Sequence, residues 1–307
     1  MFKLTSIMLL MTGLALSSFL FSLMIGSIPI DSPLFTHILW EVRLPRTLTA
    51  FITGALLAVA GSLMQLLIQN PLADPYVLGI SGGAALVTLL LMLFGISESW
   101  LIVGAWIGSF VTMLLILLLA RKHDWQTHIL LLSGIAIACG FSACISFILL
   151  ISPEKNLHNM LFWLTGDLNQ ARFPWIGIVV LSIGCFFCYL LAPGLNILGR
   201  GEKEAQALGL PLKKYRVMLY LLSSLFTATA VSLAGCIGFI GLIIPHLIRL
   251  LVGFNHRITL PLAVLLGGSF LTIADTFART LFAPQQLPVG ILMAMIGVPI
   301  FIWLLQK

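Results

Sequence analysis

Charge is what this sequence has least of. Only 8% of its 307 residues are Asp, Glu, Lys or Arg, where a water-soluble domain carries roughly 25%, so a soluble globular protein is excluded. Residues outside apolar runs are also scarce. Ten helices of about 20 residues would use roughly 200 positions and leave too few for a second folded domain. Cysteine is sparse and odd in number. Cys139, Cys144, Cys185, Cys188 and Cys236 all lie inside apolar runs, which is no disulfide framework. Cys185-Phe-Phe-Cys188 has redox-motif spacing without a strand–helix context or a nearby His, and reads as small packing residues. There is no Gly-x-x-x-x-Gly-Lys-Ser/Thr loop, no His-Glu-x-x-His and no paired acid of the kind an intramembrane hydrolase needs.

What is present is apolar: 60% of the chain is hydrophobic. The pattern predicts an all-α polytopic membrane protein, a single domain over residues 1–307. Its helices fall near 4–26, 47–68, 76–94, 100–120, 128–151, 174–192, 215–236, 246–254, 259–277 and 289–305. The eighth is too short to cross alone. The formal net charge of +6 points to membrane topology and not to nucleic acid. With both termini cytoplasmic, Arg43, Arg46, Lys155, Arg172 and Arg279 are outside and the other eleven of the 16 Lys and Arg residues are inside. Outside arginines run against that bias and require a reason.

A shift of 174 positions superposes Thr53 on Thr227, Gly61 on Gly235, Pro71 on Pro245 and Gly79 on Gly253. The matched stretches begin helices two and seven, five spans apart, so an inverted repeat of the transporter kind is expected. Ala50, Gly54 and Ala58, with Gly79/Gly83 and Gly104/Gly108, form small-xxx-small stripes for close helix packing. Between helices six and seven, Glu202–Leu208 reads as a short helix stopped by Gly209 and Pro211, with Ala205 and Leu208 forming a small apolar face. It would rest at the headgroups or dock into a cytoplasmic partner. In 235–249, three glycines and Pro245 break an apolar run, which is tolerated at membrane depth only inside protein or along a cavity.

Arg43-Leu-Pro-Arg46, Gln69-Asn-Pro-Leu-Ala-Asp-Pro75, Gly79-Ile-Ser-Gly-Gly83, Ala207-Leu-Gly209, Gly238 through Arg249 and Leu287-Pro-Val-Gly290 span the chain in order. Together they resemble the FecCD-type permease subunits of type II ABC importers for iron–siderophore complexes, haem and vitamin B12. The resemblance implies ten helices per subunit in the bacterial inner membrane. It also implies a homodimer, a periplasmic substrate-binding protein, and two cytoplasmic ATPase subunits that bind ATP and Mg, so that this chain is not an enzyme and holds no cofactor or metal. Arg43, Arg46 and Arg279 would meet acidic residues of the binding protein. Lipid phosphate, Glu41 or Asp275 are the competing partners. Glu202, Ala205, Leu208, Gly209 and Leu210 would form the ATPase coupling region, at about 200–214, and Ser81, Gly82, Ser133 and Ser142 the path and gate. A ferric siderophore is the leading cargo, with haem or cobalamin open. The rival reading, an ion-coupled secondary transporter, needs deep ionisable residues, and Asp275 and His246 are the sole candidates.

Overall fold

The computed structural model describes residues 2–26, 35–122, 125–169, 171, 173–283 and 285–305. Arg172 lies outside them. Every regular element among these residues is helical, as expected where the solvent cannot pair with free backbone groups. Seven helices are long and apolar enough to cross a membrane. They are α1 (Phe2–Met24), α3 (Leu44–Ile68), α5 (Glu98–Arg121), α6 (Thr127–Ile151), α8 (Trp175–Leu198), α10 (Leu212–Ala234) and α12 (His256–Thr280). Three shorter apolar helices complete the set: α4 (Ile80–Leu93), α11 (Ile240–Val252) and α13 (Val289–Leu305). Each of these ten overlaps one of the ten apolar runs of the sequence, and seven of them have spanning length. Three further helices are small: α2 (Phe35–Ile38), α7 (Glu154–Leu164) and α9 (Glu202–Ala207).

α3 is the axis of the molecule, buried along nearly its whole length and packed on α10, α11, α12 and α8. Hydrophobic burial cannot draw helices together in lipid, so small residues set the contacts. Gly54 backs onto Gly267 of α12, and Gly61 onto Gly241 of α11. A Cβ at either glycine would overlap the opposing carbonyl. Gly83 and Gly108 face each other between α4 and α5 in the same way.

The element order repeats. A long helix, a non-helical break, a short helix and two more helices occur as α3–α6 and again as α10–α13. The register differs from the residue matches, because α4 starts at Ile80 and α11 at Ile240. An offset of 174 puts Pro71, in the turn after α3, onto Pro245, inside α11. Matches among small residues followed composition, whereas the breaks at 69–79 and 235–239 differ in length.

Three boundaries also differ. The second span begins at α2 and runs into α3 through a π-helical turn, Leu39–Arg43, which absorbs Pro45 at the start of α3. The eighth helix starts at Ile240 and continues through Pro245. The loop after α6 contains α7, whose Leu157, Leu161 and Leu164 recur along one helical face after Pro153.

Candidate functional site

At one end of α3, Arg46 is held on every side. Its Nε and Nη2 donate to the Asp275 carboxylate at 2.8–3.1 Å, and Nη1 donates to Asn169 Oδ1 and Gln286 Oε1, each at 2.8 Å. Asp275 is fully buried on α12, and Arg279, one turn on, sits 3.9 Å from its Oδ2. Arg279 Nη2 donates to the carbonyl and hydroxyl of Ser22 on α1, and that hydroxyl meets Thr47 at 2.8 Å. Arg43 donates to Leu23 O at 2.8 Å and Met24 O at 3.1 Å, where carbonyls at a helix C-terminus favour a cation. Arg43, Arg46 and Arg279 are only 3%, 6% and 8% exposed. The three arginines are therefore brought together, but turned inward, with Asp275 as the intramolecular partner. As placed, they present almost no outward surface for a binding protein.

The middle of α3 faces the two breaks. After Gly235 (φ +68°), Phe239 adopts a left-handed conformation (φ +69°) and its ring packs on Gly297 of α13. For a residue with a Cβ this costs on the order of 1 kcal/mol. Ile237 N–H donates to Tyr76 Oη at 3.0 Å, and Pro75 packs on Gly241, so the breaks of the two halves touch. Pro245 has no N–H for the Gly241 carbonyl one turn earlier. Gln65 Nε2 fills the gap, donating to Gly241 O at 3.2 Å and Leu242 O at 3.1 Å, while Arg249 donates to Gln65 Oε1. This amide was not singled out from the sequence, although a glutamine inside an apolar run signals an internal polar partner.

Gln69, at the end of α3, stands 23 residues from Arg46, about 34 Å along the axis, and donates to Leu198 O of α8 at 3.2 Å. On the same side lies α9. Glu202 pairs with Arg216 of α10 at 2.6 Å. The helix ends as Gly209, at φ +78°, lets Leu210 N–H reach Ala205 O at 2.9 Å and Gly209 N–H reach Gln206 O at 3.0 Å. The stop at Gly209 is as expected, but the shared apolar face is not. Ala205 is fully buried against the core, whereas Leu208 is 62% exposed. Three residues apart they project differently, because the helix is a single turn and a half laid against α8 and α10.

Of the expected gate residues, Ser81 and Gly82 open α4 half-buried, with Gly82 beside Phe141 of α6. Ser133 is half-buried on α6 and Ser142 exposed. The exposed surfaces of α5 and α8 are large and apolar, including Phe110, Leu118, Phe186 and Leu190. On α6 the exposed residues between Ile135 and Phe147 are small or polar, including Cys139, Gly140, Ser142, Ala143, Cys144 and Ser146, while Leu132, Ile135, Phe147 and Leu150 on either side are exposed and apolar. Gly79-Ile-Ser-Gly-Gly83 also has Gly-x-Ser-x-Gly spacing, yet it leads from the 3-10 turn Pro75–Leu78 into an apolar helix, not from a strand, so it forms no nucleophile elbow. Among the described residues no three His, Cys, Asp or Glu side chains gather as a metal site.

A cavity of about 600 Å³ opens beside the Arg46 cluster, between the N-terminal ends of α5 and α8, helix α7, and Asp167, Asn169, Phe173 and Pro174. Its walls include Phe162, Trp163, Phe173 and Trp175, with Thr49 and Ser232 deep inside and Asp167 and Asn169 at the side. Asp167 Oδ1 accepts Asn169 N–H at 2.9 Å. Burial raises its carboxyl pKa above the ordinary value, opposed by that hydrogen bond and by the charge of Arg46.

The profile of the FecCD transport family matches residues 4–307. The chain belongs to the FecCD transport family. This FecCD chain is 42% identical over 281 residues to the hemin transport system permease protein HmuU of Yersinia pestis, a match covering 88% of this chain and 84% of that one. It is 38% identical over 274 residues to the vitamin B12 import system permease protein BtuC of Klebsiella pneumoniae, covering 88% and 82%. A solved structure described as an inward-facing conformation of a metal-chelate type ABC transporter superposes with a TM-score of 0.90 at 34% identity, covering 99% of both chains. The fold alone extends to PsaBC from Streptococcus pneumoniae, at a TM-score of 0.60 and 15% identity. The FecCD chain is thus a multi-pass membrane transport protein.

Proposed function

We propose that this chain is the permease subunit of an ATP-driven ABC importer that carries a metal chelate from the periplasm to the cytoplasm of a bacterium across its inner membrane. Two copies enclose the path. Two separate ATPase subunits bind ATP and Mg on the α9 side, and a periplasmic binding protein delivers cargo on the Arg46 side. The observation that carries this reading is the exposed run of small and polar residues on α6. Lipid gives such a surface no partner, whereas a second subunit across a water-filled path does. Ser133 and Ser142 then line the path, with Ser81 and Gly82 at the gate.

Leu208 and Gly209 are the exposed contacts offered to the ATPase, with Leu210 half-buried beside them, while Glu202 and Ala205 fix α9 in place. The arginines act in docking as the braces of the outer rim, and a binding protein that pairs with them must first loosen the Asp275 network. The cargo is one of three classes, an iron(III) siderophore, haem or cobalamin. The names of HmuU and BtuC favour the two macrocycles. The test is reconstitution of the chain in proteoliposomes with the ATPase and binding protein encoded beside it. Uptake of one of the three chelates is expected to require ATP and to survive a protonophore. Uptake by this chain alone, driven by an ion gradient, would establish the secondary-transporter reading instead.

A further inference from the structure

The last turn of α8 holds the ends of two other helices. Asn196 Oδ1 accepts the main-chain N–H of His256, the first residue of α12, at 2.8 Å, and meets its ring Nδ1 at 2.9 Å. Asn196 Nδ2 donates at 3.1 Å to Asn255 Oδ1, the oxygen that also accepts Arg257 N–H at the helix cap. The main-chain N–H groups of His256 and Arg257 can only donate. They therefore fix which way both amides point and place the imidazole proton on Nδ1. Among the described residues no other side-chain hydrogen bond joins α8 to α12. Two residues on, Leu198 O accepts Gln69 Nε2 from the end of α3. α9 follows at Glu202, behind Gly201 at φ +119°.

α3 and α12 are joined along their length and again at their far ends. Gly54 and Gly267 leave no room for a side chain between them, and a fit that close resists sliding. At the far end Arg46 of α3 is bonded to Asp275 of α12, about 28 Å along the axis from His256. The two helices thus form one strut. One end is tied beside the root of α9 through Asn196 and Gln69, and the other carries the arginine cluster.

We propose that Asn196 is a positioning residue of transport: it makes the α3–α12 pair follow α9, so that the state of the ATPase sets the affinity of the arginine end for the binding protein. This rests on the arrangement proposed above, with the ATPase on the α9 side and the binding protein on the Arg46 side. A rigid pair of helices and one polar tie then link the two ends, and by linkage each partner alters the affinity for the other by the same factor. The experiment uses the full assembly of this chain, its ATPase and its binding protein in nanodiscs. It reads the Kd of the binding protein without nucleotide and with a non-hydrolysable ATP analogue. In the unaltered assembly the two values are expected to differ about tenfold. Asn196→Leu, which keeps the volume and removes the tie, is expected to bring that ratio below about twofold with the ATPase still bound. Asn196→Asp, which keeps the acceptor for His256, is expected to preserve it. His256→Phe removes the ring donor alone and is expected to leave a ratio of about threefold. A merely structural role would lower the melting temperature of Asn196→Leu and leave the ratio as in the unaltered assembly. An unreduced ratio in Asn196→Leu, or in His256→Phe where Asn196→Leu does not assemble, overturns the proposal. A ratio near one in the unaltered assembly also overturns it, and the permease reading then stands on ATP-driven uptake by that same assembly. Absence of that uptake removes both.

Discussion

Arg46 shows what one residue can decide. Its three bonds to Asp275 are buried, so removing one partner strands a charge in a medium that does not solvate it. Asp275→Leu is expected to cost about 3–5 kcal/mol, and the volume-matched Arg46→Met/Asp275→Leu pair much less. Thermal unfolding in detergent reads both, and equal destabilisation by single and double variants would refute the assignment. Reversing Arg43, Arg46 and Arg279 together to Glu is then expected to abolish the folded subunit. A docking defect measured on that triple variant reports folding, not recognition. Asp167 adds a pH dependence. Its native pKa is raised by burial, so its contribution is fully present below the ordinary carboxylate value and is lost as pH rises through the native one. Unaltered chain should gain stability on acidification relative to Asp167→Asn, and parallel melting curves across acid pH would rule this out. Sequence made the outside arginines visible because they broke the topology bias, and it offered Asp275 as a partner. It could not show Asn169, Gln286 or Ser22, each of which bonds to an arginine more than a hundred residues away in the chain.

At the scale of the helix, what was legible was hydropathy and what was not was irregular backbone. Each of the ten apolar runs became a helix, since lipid leaves a long apolar segment no other way to pair its backbone. The eighth helix reads as too short to cross alone, and at 13 residues α11 is; what the sequence could not show is its start at Ile240, ahead of Pro245, where the Gln65 amide of α3 replaces the missing donor. Gln65→Leu is expected to leave the Gly241 carbonyl without a donor and Arg249 without its Gln65 acceptor, and to destabilise by about 1–3 kcal/mol. The small-residue stripes were read correctly as packing surfaces, and they give a graded test. Gly61→Ala must push α3 from α11, whereas Gly13→Ala, in open space on α1, should be neutral. Similar melting temperatures for the two would mean that the α3–α11 contact is looser than described. The face of α9 could not be read from spacing, because burial of Ala205 depends on α8 and α10. Leu208→Asp is accordingly expected to leave the permease folded and to sever ATP hydrolysis from uptake, while Ala205→Asp fails to fold. Normal uptake with Leu208→Asp would remove Leu208 from the coupling surface.

Across the whole molecule, the two halves meet where each is least helical, with Tyr76 of the first bonded to the backbone of the second. That joint leaves α3, α10, α11 and α12 mutually buried and α6 at the margin, touching α4 and α5 but showing small residues outward. The same arrangement weakens an ion-coupled mechanism. Asp275 is spent on Arg46 and Arg279, and His246, its Nδ1 without a hydrogen-bond partner, lies one turn from the cation Arg249. The proposed pair of subunits sets its α6 faces opposite each other across the path, and the native cysteines can detect this. With the other cysteines replaced by serine or alanine, Cys139 or Cys144 on that face is expected to give disulfide-linked or short-reagent-linked dimers in native membranes. Cys185, half-buried on α8 against the core, should not. Crosslinking is expected to fall when cargo and ATP cycling hold the path open, because the distance across the axis then grows. Dimers formed as readily through Cys185 as through Cys139 and Cys144 would place the subunit contact on α8, and the small face of α6 would have to be explained by some partner other than a second copy.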